Sequence, residues 1–153
     1  MAALLALNDA PVDVANFYRG DAGAWGLFSE QGAPNAAHNA MRAFVALLET
    51  PRRVPVTDAE RIVAAAGVDA AGKRATIVLV NATEPARAIT LHARNLPWSG
   101  ATRVVIRRID AAHVFENADT LTLDTSAPDV PLTVEGPGVV LVTFDSQTAP
   151  ASR

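Results

Sequence analysis

The chain has 153 residues, half of them hydrophobic and 19% charged, with a net charge of −3. That length suits one domain with a core of its own. The mild acidity, with no cationic cluster beyond the pairs Arg52-Arg53 and Arg107-Arg108, argues against a nucleic-acid partner, which would need basic side chains to meet phosphates. The absence of cysteine excludes disulfides and thiolate metal ligands.

The chain opens on MAALLALNDAP. This run carries no cationic lead and only a short apolar stretch, so it reads as neither a signal peptide nor a membrane span. The compartment stays open. Residues 2–7 predict a short helix, ended by Asn8, Asp9, Ala10 and Pro11. Residues 12–18 alternate apolar Val12, Val14 and Phe17 with mostly polar neighbours, the pattern of a short strand. Residues 25–28 form a second apolar run, closed by Glu30, Gln31 and Gly32. Pro34 then sits where a helix can begin. Ala37, Ala40, Met41, Phe44, Val45 and Leu48 follow at spacings of three and four, one apolar helical face over residues 36–49. Thr50-Pro51 stops it.

Beyond Pro51 the grammar is that of strands. Short β-rich runs fall at 62–68, 75–80, 88–92, 103–109, 121–123, 132–134 and 139–144. Turn residues separate them, as in DAAG (69–72), PWSG (97–100) and EGPG (135–138). About seven to nine strands at this spacing predict an antiparallel β-sandwich. The expected class is mainly β (α+β), with an N-terminal strand-helix segment packed on the sandwich. The run VVLVTF (139–144) is apolar on both faces and belongs at the centre. Residues 1–50 and 51–146 are expected as two units, and 147–153 as a disordered tail.

Catalytic chemistry needs convergent groups. His38, His92 and His113 are far apart in sequence, without metal-ligand spacing. No nucleophile elbow, P-loop or dinucleotide fingerprint occurs, so neither a metal nor a cofactor is expected. Gly20, Gly23 and Gly26 suit a turning loop. Sugar hydrolysis needs two carboxylates. Asp21, just after the expected strand, is the one carboxylate placed for a site, since barrel sites form at strand ends. The chain has two Trp and one Tyr, and Tyr18 and Trp25 share this loop with Asp21. Apolar faces of sugar rings stack on such side chains, which raises a sugar-contact reading beside the plainer one of internal packing.

Residues 18–44 (YRGDAGAWGLFSEQGAPNAAHNAMRAF), followed by LLETPRRVPV (47–56), resemble the C-terminal end of clan-A glycoside hydrolases. The likeness is greatest to the family 39 group of β-xylosidases and α-L-iduronidase-like enzymes. Those proteins end the last barrel strand on an aromatic residue, here Phe17-Tyr18. An aromatic run follows, here Trp25-Gly26-Leu27-Phe28, then a turn and helix leading into a β-sandwich. TIVLVNAT (76–83) and NLPWSG (95–100) resemble the sandwich strands of the same group. Asn35 departs from the pattern, standing where a lysine is common.

The resemblance implies a (β/α)8-barrel end in residues 1–50 and an accessory sandwich in 51–146. Tyr18, Arg19, Asp21 and Trp25 would line the rim of a sugar site. The family's two catalytic glutamates belong to earlier barrel strands, and no residue here matches them. No catalytic residue is therefore expected within this chain, which would be inactive alone. Carbohydrate is the expected ligand when the rest of a barrel is present. The apolar faces of an incomplete barrel end need covering, so a homo-oligomer or a partner chain is expected, and no membrane. The alternative is a freestanding sandwich that binds carbohydrate or protein without catalysis.

Overall fold

The computed structural model describes residues 1–17, 19–23, 26–57, 61–83, 85–116 and 118–147. Among these residues two helices, α1 (Ala2–Asn8) and α2 (Ala36–Leu48), precede eight strands. These are β1 (Arg52–Val54), β2 (Val63–Val68), β3 (Arg74–Asn81), β4 (Arg87–His92), β5 (Thr102–Ile109), β6 (Ala118–Leu123), β7 (Asp129–Val134) and β8 (Gly138–Ser146). All pairings between strands are antiparallel. One sheet has six strands in the order β1-β2-β3-β8-β5-β6, and the second is the pair β4-β7. The class is the α+β sandwich that the sequence predicts.

The seven strands expected beyond Pro51 all form, each within a few residues of its sequence boundary. β1 is the addition. The stretch after Pro51, where no strand is expected, pairs along β2 with Arg53 opposite Gly67. β3 and β8 lie at the centre, with Val78 paired to Leu141. Both are apolar on each face, so the six-stranded sheet needs cover on both sides.

Two cores supply it. Between the sheets, Ile77, Leu79, Val104, Ile106, Val140 and Val142 meet Val130, Leu132 and Val134 of β7. Trp98 packs at the margin of this core, and its indole N–H donates to Thr102 Oγ1 at 3.0 Å. On the outer face, Val78, Val80, Ile109, Val139 and Leu141 meet Leu5 of α1 and Ala43 and Leu47 of α2.

The sequence accounts for the fit of α2. Its buried positions are Asn39, Ala40, Ala43 and Leu47, one stripe at spacings near one turn. Two of them are alanines, which let the helix approach the sheet closely. The helix end is held by Thr50, which is 1% exposed and donates from Oγ1 to the Leu47 carbonyl at 2.8 Å. A Cβ on Gly67 of β2 would stand 1.9 Å from the Thr50 carbonyl oxygen. Only glycine at 67 lets strand and helix end touch.

A second knot joins the sheets. Asn81, fully buried at the end of β3, donates from Nδ2 to the carbonyls of Pro85 (3.0 Å) and Val134 (3.2 Å). Its Oδ1 accepts from the Thr83 N–H at 3.1 Å and the Thr83 hydroxyl at 3.2 Å. One side chain thus fixes the end of β3, the approach to β4 and the end of β7.

The expected strand at 12–18 does not form over its described residues, 12–17. Alternation alone cannot make a strand without a neighbouring strand to hydrogen-bond, and among the described residues none pairs with it. Val12, Val14 and Phe17 are 45%, 74% and 48% exposed. Of the run 25–28, Phe28 makes only isolated bridges, to Ala22 and Pro34. Residue 25 and residues 148–153 lie outside the described residues.

Leu47→Ala is expected to destabilise the chain by about 2–4 kcal/mol, the cost of a cavity where helix meets sheet. Gly67→Ala is expected to cost about 1–3 kcal/mol by forcing that contact apart. Urea unfolding followed by far-ultraviolet circular dichroism measures both.

Candidate functional site

The described residues between Arg19 and Asn35 form a loop knotted by its own backbone. The Asp21 carbonyl accepts N–H bonds from Leu27 (3.0 Å) and Phe28 (3.4 Å). Gly23 donates to the Phe28 carbonyl at 3.2 Å, and Gly26 to the Gly23 carbonyl at 3.0 Å. Gly26 is buried against the turn, and a Cβ there would stand 1.9 Å from the Asp21 oxygen. Gly23 adopts φ 119°, a conformation that favours glycine. The glycines read from sequence as loop residues therefore have distinct roles: one turns the chain, and one admits a backbone contact.

Asn35 locks this loop to α2. Its Oδ1 accepts the His38 N–H at 3.1 Å as an N-cap, while its Nδ2 donates to the Gly26 carbonyl at 2.7 Å. Its own N–H reaches the Leu27 carbonyl at 3.0 Å. The departure at this position from the family 39 pattern thus has a local structural use. The His38 ring packs on Phe28, centroid to centroid 5.1 Å.

Of the four expected rim residues, Arg19 and Asp21 are described and stand together. Tyr18 and Trp25 lie outside the described residues. The guanidinium of Arg19 grips both carboxylate oxygens of Asp21, Nε on Oδ1 and the second nitrogen on Oδ2 at 2.6 Å. Both side chains are about half exposed. The Arg19 hydrogen bond is the main cause holding the Asp21 carboxyl below its ordinary 3.8. An aspartate held this way is ionised at neutral pH. It can accept hydrogen bonds from sugar hydroxyls, but it has no proton to give as a general acid.

Other polar constellations lie elsewhere in the fold. Arg42 of α2 bonds Glu116 and lies 4.7 Å above the Phe115 ring, with Arg107 on that ring at 5.7 Å. Nothing in the sequence marked this junction, because its partners are far apart along the chain. His92 shares Asp129 with Arg94, at 2.8 Å and 2.5 Å. His113 lies 2.8 Å from Asp110. Burial pushes the Asp110 carboxyl up, but N–H groups of Ala112 and His113 and the imidazole outweigh it and hold it low. That pair borders a groove of ≈ 830 Å³ closed by Asn81, Glu135 and Pro137, with no Trp, Tyr or Phe among its described lining residues. Among the described residues, no three His, Asp or Glu side chains converge as metal ligands. No described helix is long and apolar enough to cross a membrane.

No family model and no curated protein matches the chain. Solved structures do. A glucosidase from Croceicoccus marinus superposes with a TM-score of 0.84 at 26% identity, over 96% of this chain and 40% of the glucosidase. A family 30 endoxylanase from Clostridium papyrosolvens C71 gives a TM-score of 0.62 at 15% identity, over 82% of this chain and 32% of that one. A family 39 enzyme from Xanthomonas axonopodis pv. citri gives 0.59 at 16% identity, over 79% and 32%. The fold is glycosidase-like. At such low identities the last two comparisons speak to fold alone, and family 30 and family 39 stand about level. The chain spans 40% or less of each of these three proteins.

Asn35→Ala is expected to cost about 1–2 kcal/mol by removing a helix cap and the loop strap together, read by thermal or urea unfolding. The Asp21 carboxyl is expected to titrate below 3.8 by carbonyl-detected NMR, and to move back toward that value in Arg19→Gln. Its folded pKa lies below the unfolded one. The pair's contribution to stability is therefore complete above the ordinary value and is lost as pH falls through the depressed one.

Proposed function

We propose that the chain is the C-terminal portion of a glycoside hydrolase, family 39-like, that supports a catalytic barrel and does not hydrolyse glycosides by itself. The observation that carries this reading is the superposition of 96% of the chain on 40% of a glucosidase. A segment that fits so completely inside a longer hydrolase is read as a part of such an enzyme. The resemblance of residues 18–44 to the end of a barrel supports placing that part at the C-terminus. The likeness of fold to both a family 30 and a family 39 enzyme leaves the family 39 assignment on the sequence motifs.

The site chemistry agrees with an auxiliary role. Acid/base glycoside hydrolysis uses one protonated and one ionised carboxyl group. In the loop, Asp21 is ionised and paired with Arg19. Such a pair suits a rim: Asp21 accepts from hydroxyls, Arg19 donates to ring or hydroxyl oxygens, and together they orient a sugar. Tyr18 and Trp25 complete this proposed rim as stacking platforms. The apolar exposed residues Val12, Val14 and Phe17, with Val45 and Leu48 of α2, are the surface that would face the barrel.

The test is hydrolysis of aryl β-xyloside and aryl β-glucoside by the purified chain. No turnover is expected. Turnover that disappears in Asp21→Asn would overturn the reading, because a complete site would then exist within these residues or across a dimer of them.

A further inference from the structure

Arg19, Arg42, Arg53, Arg74, Arg94 and Arg108 each reach a carboxylate. β5 carries two more arginines that, among the described residues, reach none. Side chains alternate between the faces of a strand. Val104 and Ile106 enter the core between the sheets, and Ile109 enters the core under the helices. Arg103, Val105 and Arg107 therefore share the outer face with Ile109. Arg103 is exposed there and Arg107 is half-buried. The carboxylates beside them are taken. Asp145, opposite Arg103, is held by Arg74 at 2.7 Å. Glu116 is bonded by Arg42. Arg42 and Arg107 lie against one ring, Phe115, at 4.7 Å and 5.7 Å.

The covering of this face ends at β5. α2 packs against β5, and Val105 is buried. On β6, Thr122 and Thr120 lie opposite Arg103 and Val105 and are exposed. The outcome is a ledge beside α2. Its two guanidiniums rise from Cα atoms about 13 Å apart along β5, with threonine hydroxyls next to them. At the Phe115 end, two cations share one ring and one carboxylate. A half-buried cation has given up part of its hydration, so Arg107 gains from an anion supplied from outside. A guanidinium holds a carboxylate best, through two parallel N–H bonds.

We propose that this ledge binds a linear polysaccharide that carries carboxylates, a polyuronate. Two of its carboxylates meet Arg103 and Arg107, and Thr120 and Thr122 bond the sugar hydroxyls between them. The exposed side chains on this face of β5 and β6 are Arg103, Ala118, Thr120 and Thr122. None is the large apolar or aromatic anchor that a protein partner buries, so an acidic polypeptide fits less well. The chain as a whole carries −3 and repels a polyanion, so affinity here has to come from the local guanidiniums. The proposal stands on this face of the sheet and does not rest on the hydrolase reading.

The test is affinity electrophoresis of the whole chain at low salt, in native gels holding polygalacturonate, neutral xylan or poly-glutamate. Polygalacturonate is expected to retard the chain, and neutral xylan is not. Retardation is expected to weaken by about tenfold in Kd when Arg103→Gln and Arg107→Gln are combined, the loss of two charge-assisted contacts. Thr122→Glu, which sets a carboxylate opposite Arg103 and leaves both arginines in place, is expected to weaken it too. That variant keeps the test valid if the double change unfolds the chain. Absence of retardation overturns the proposal, as does equal retardation by neutral xylan. An equal loss in Arg94→Gln, on the other sheet, overturns it by showing a diffuse charge effect. Poly-glutamate binding as tightly as polygalacturonate overturns the sugar and assigns the ledge to an acidic polypeptide. None of these outcomes depends on glycoside turnover, so failure here and failure of the hydrolase reading are separable.

Discussion

The structure depends on one constraint: the strands at its centre have no polar side. β3 is buried along seven of its eight residues and β8 along six of nine. Such a pair cannot sit at a surface, so both faces of the large sheet must be roofed. The β4-β7 pair roofs one face and the helices roof the other. Every other element is placed by that need. Asn81 returns the chain over the inner face, and the Gly67-Thr50 contact brings α2 down onto the outer one.

Much of this was legible because the relevant signals are local. Turn chemistry delimited the strands: Asp69 in DAAG accepts the N–H groups of Lys73 at 2.8 Å and Arg74 at 3.0 Å, and Gly72 takes φ 66°. The 3.6-residue pattern placed α2, and the double-sided run at 139–144 placed β8. The misses share a cause. β1 exists because β2 offers an edge, and among the described residues no strand offers the 12–17 stretch one. Pairing is a property of two segments, and one segment's alternation does not reveal it. The Arg42-Glu116-Phe115 junction was invisible for the same reason, since its members are joined only by the fold.

In the loop, the sequence indicated Asp21 but not the neighbour that fixes its chemistry. A carboxylate two residues from an arginine can point anywhere. The guanidinium of Arg19 grips both carboxylate oxygens, and the pair is charged at neutral pH. In the proposed reading, such a pair suits contact with a sugar and not proton transfer to it. Groups that bind sugars do well to hold one charge state at all working pH values, whereas an acid/base group must change it. The glycosidase-like fold and this fixed pair describe the same thing at two scales, a scaffold with a polar margin.

The glycine at position 67 bears on how such a protein can be divided. By composition the chain changes character at Pro51, and a modular reading would cut it there. The contact between Gly67 and Thr50 crosses that line, and so does the core formed by Leu5, Ala43 and Leu47 with Val78 and Leu141. A sandwich inherited or transplanted without its preceding helices would carry a bare apolar wall. The unit that packs as one is therefore larger than the unit that composition suggests, and it takes in α1 and α2 with the sheet.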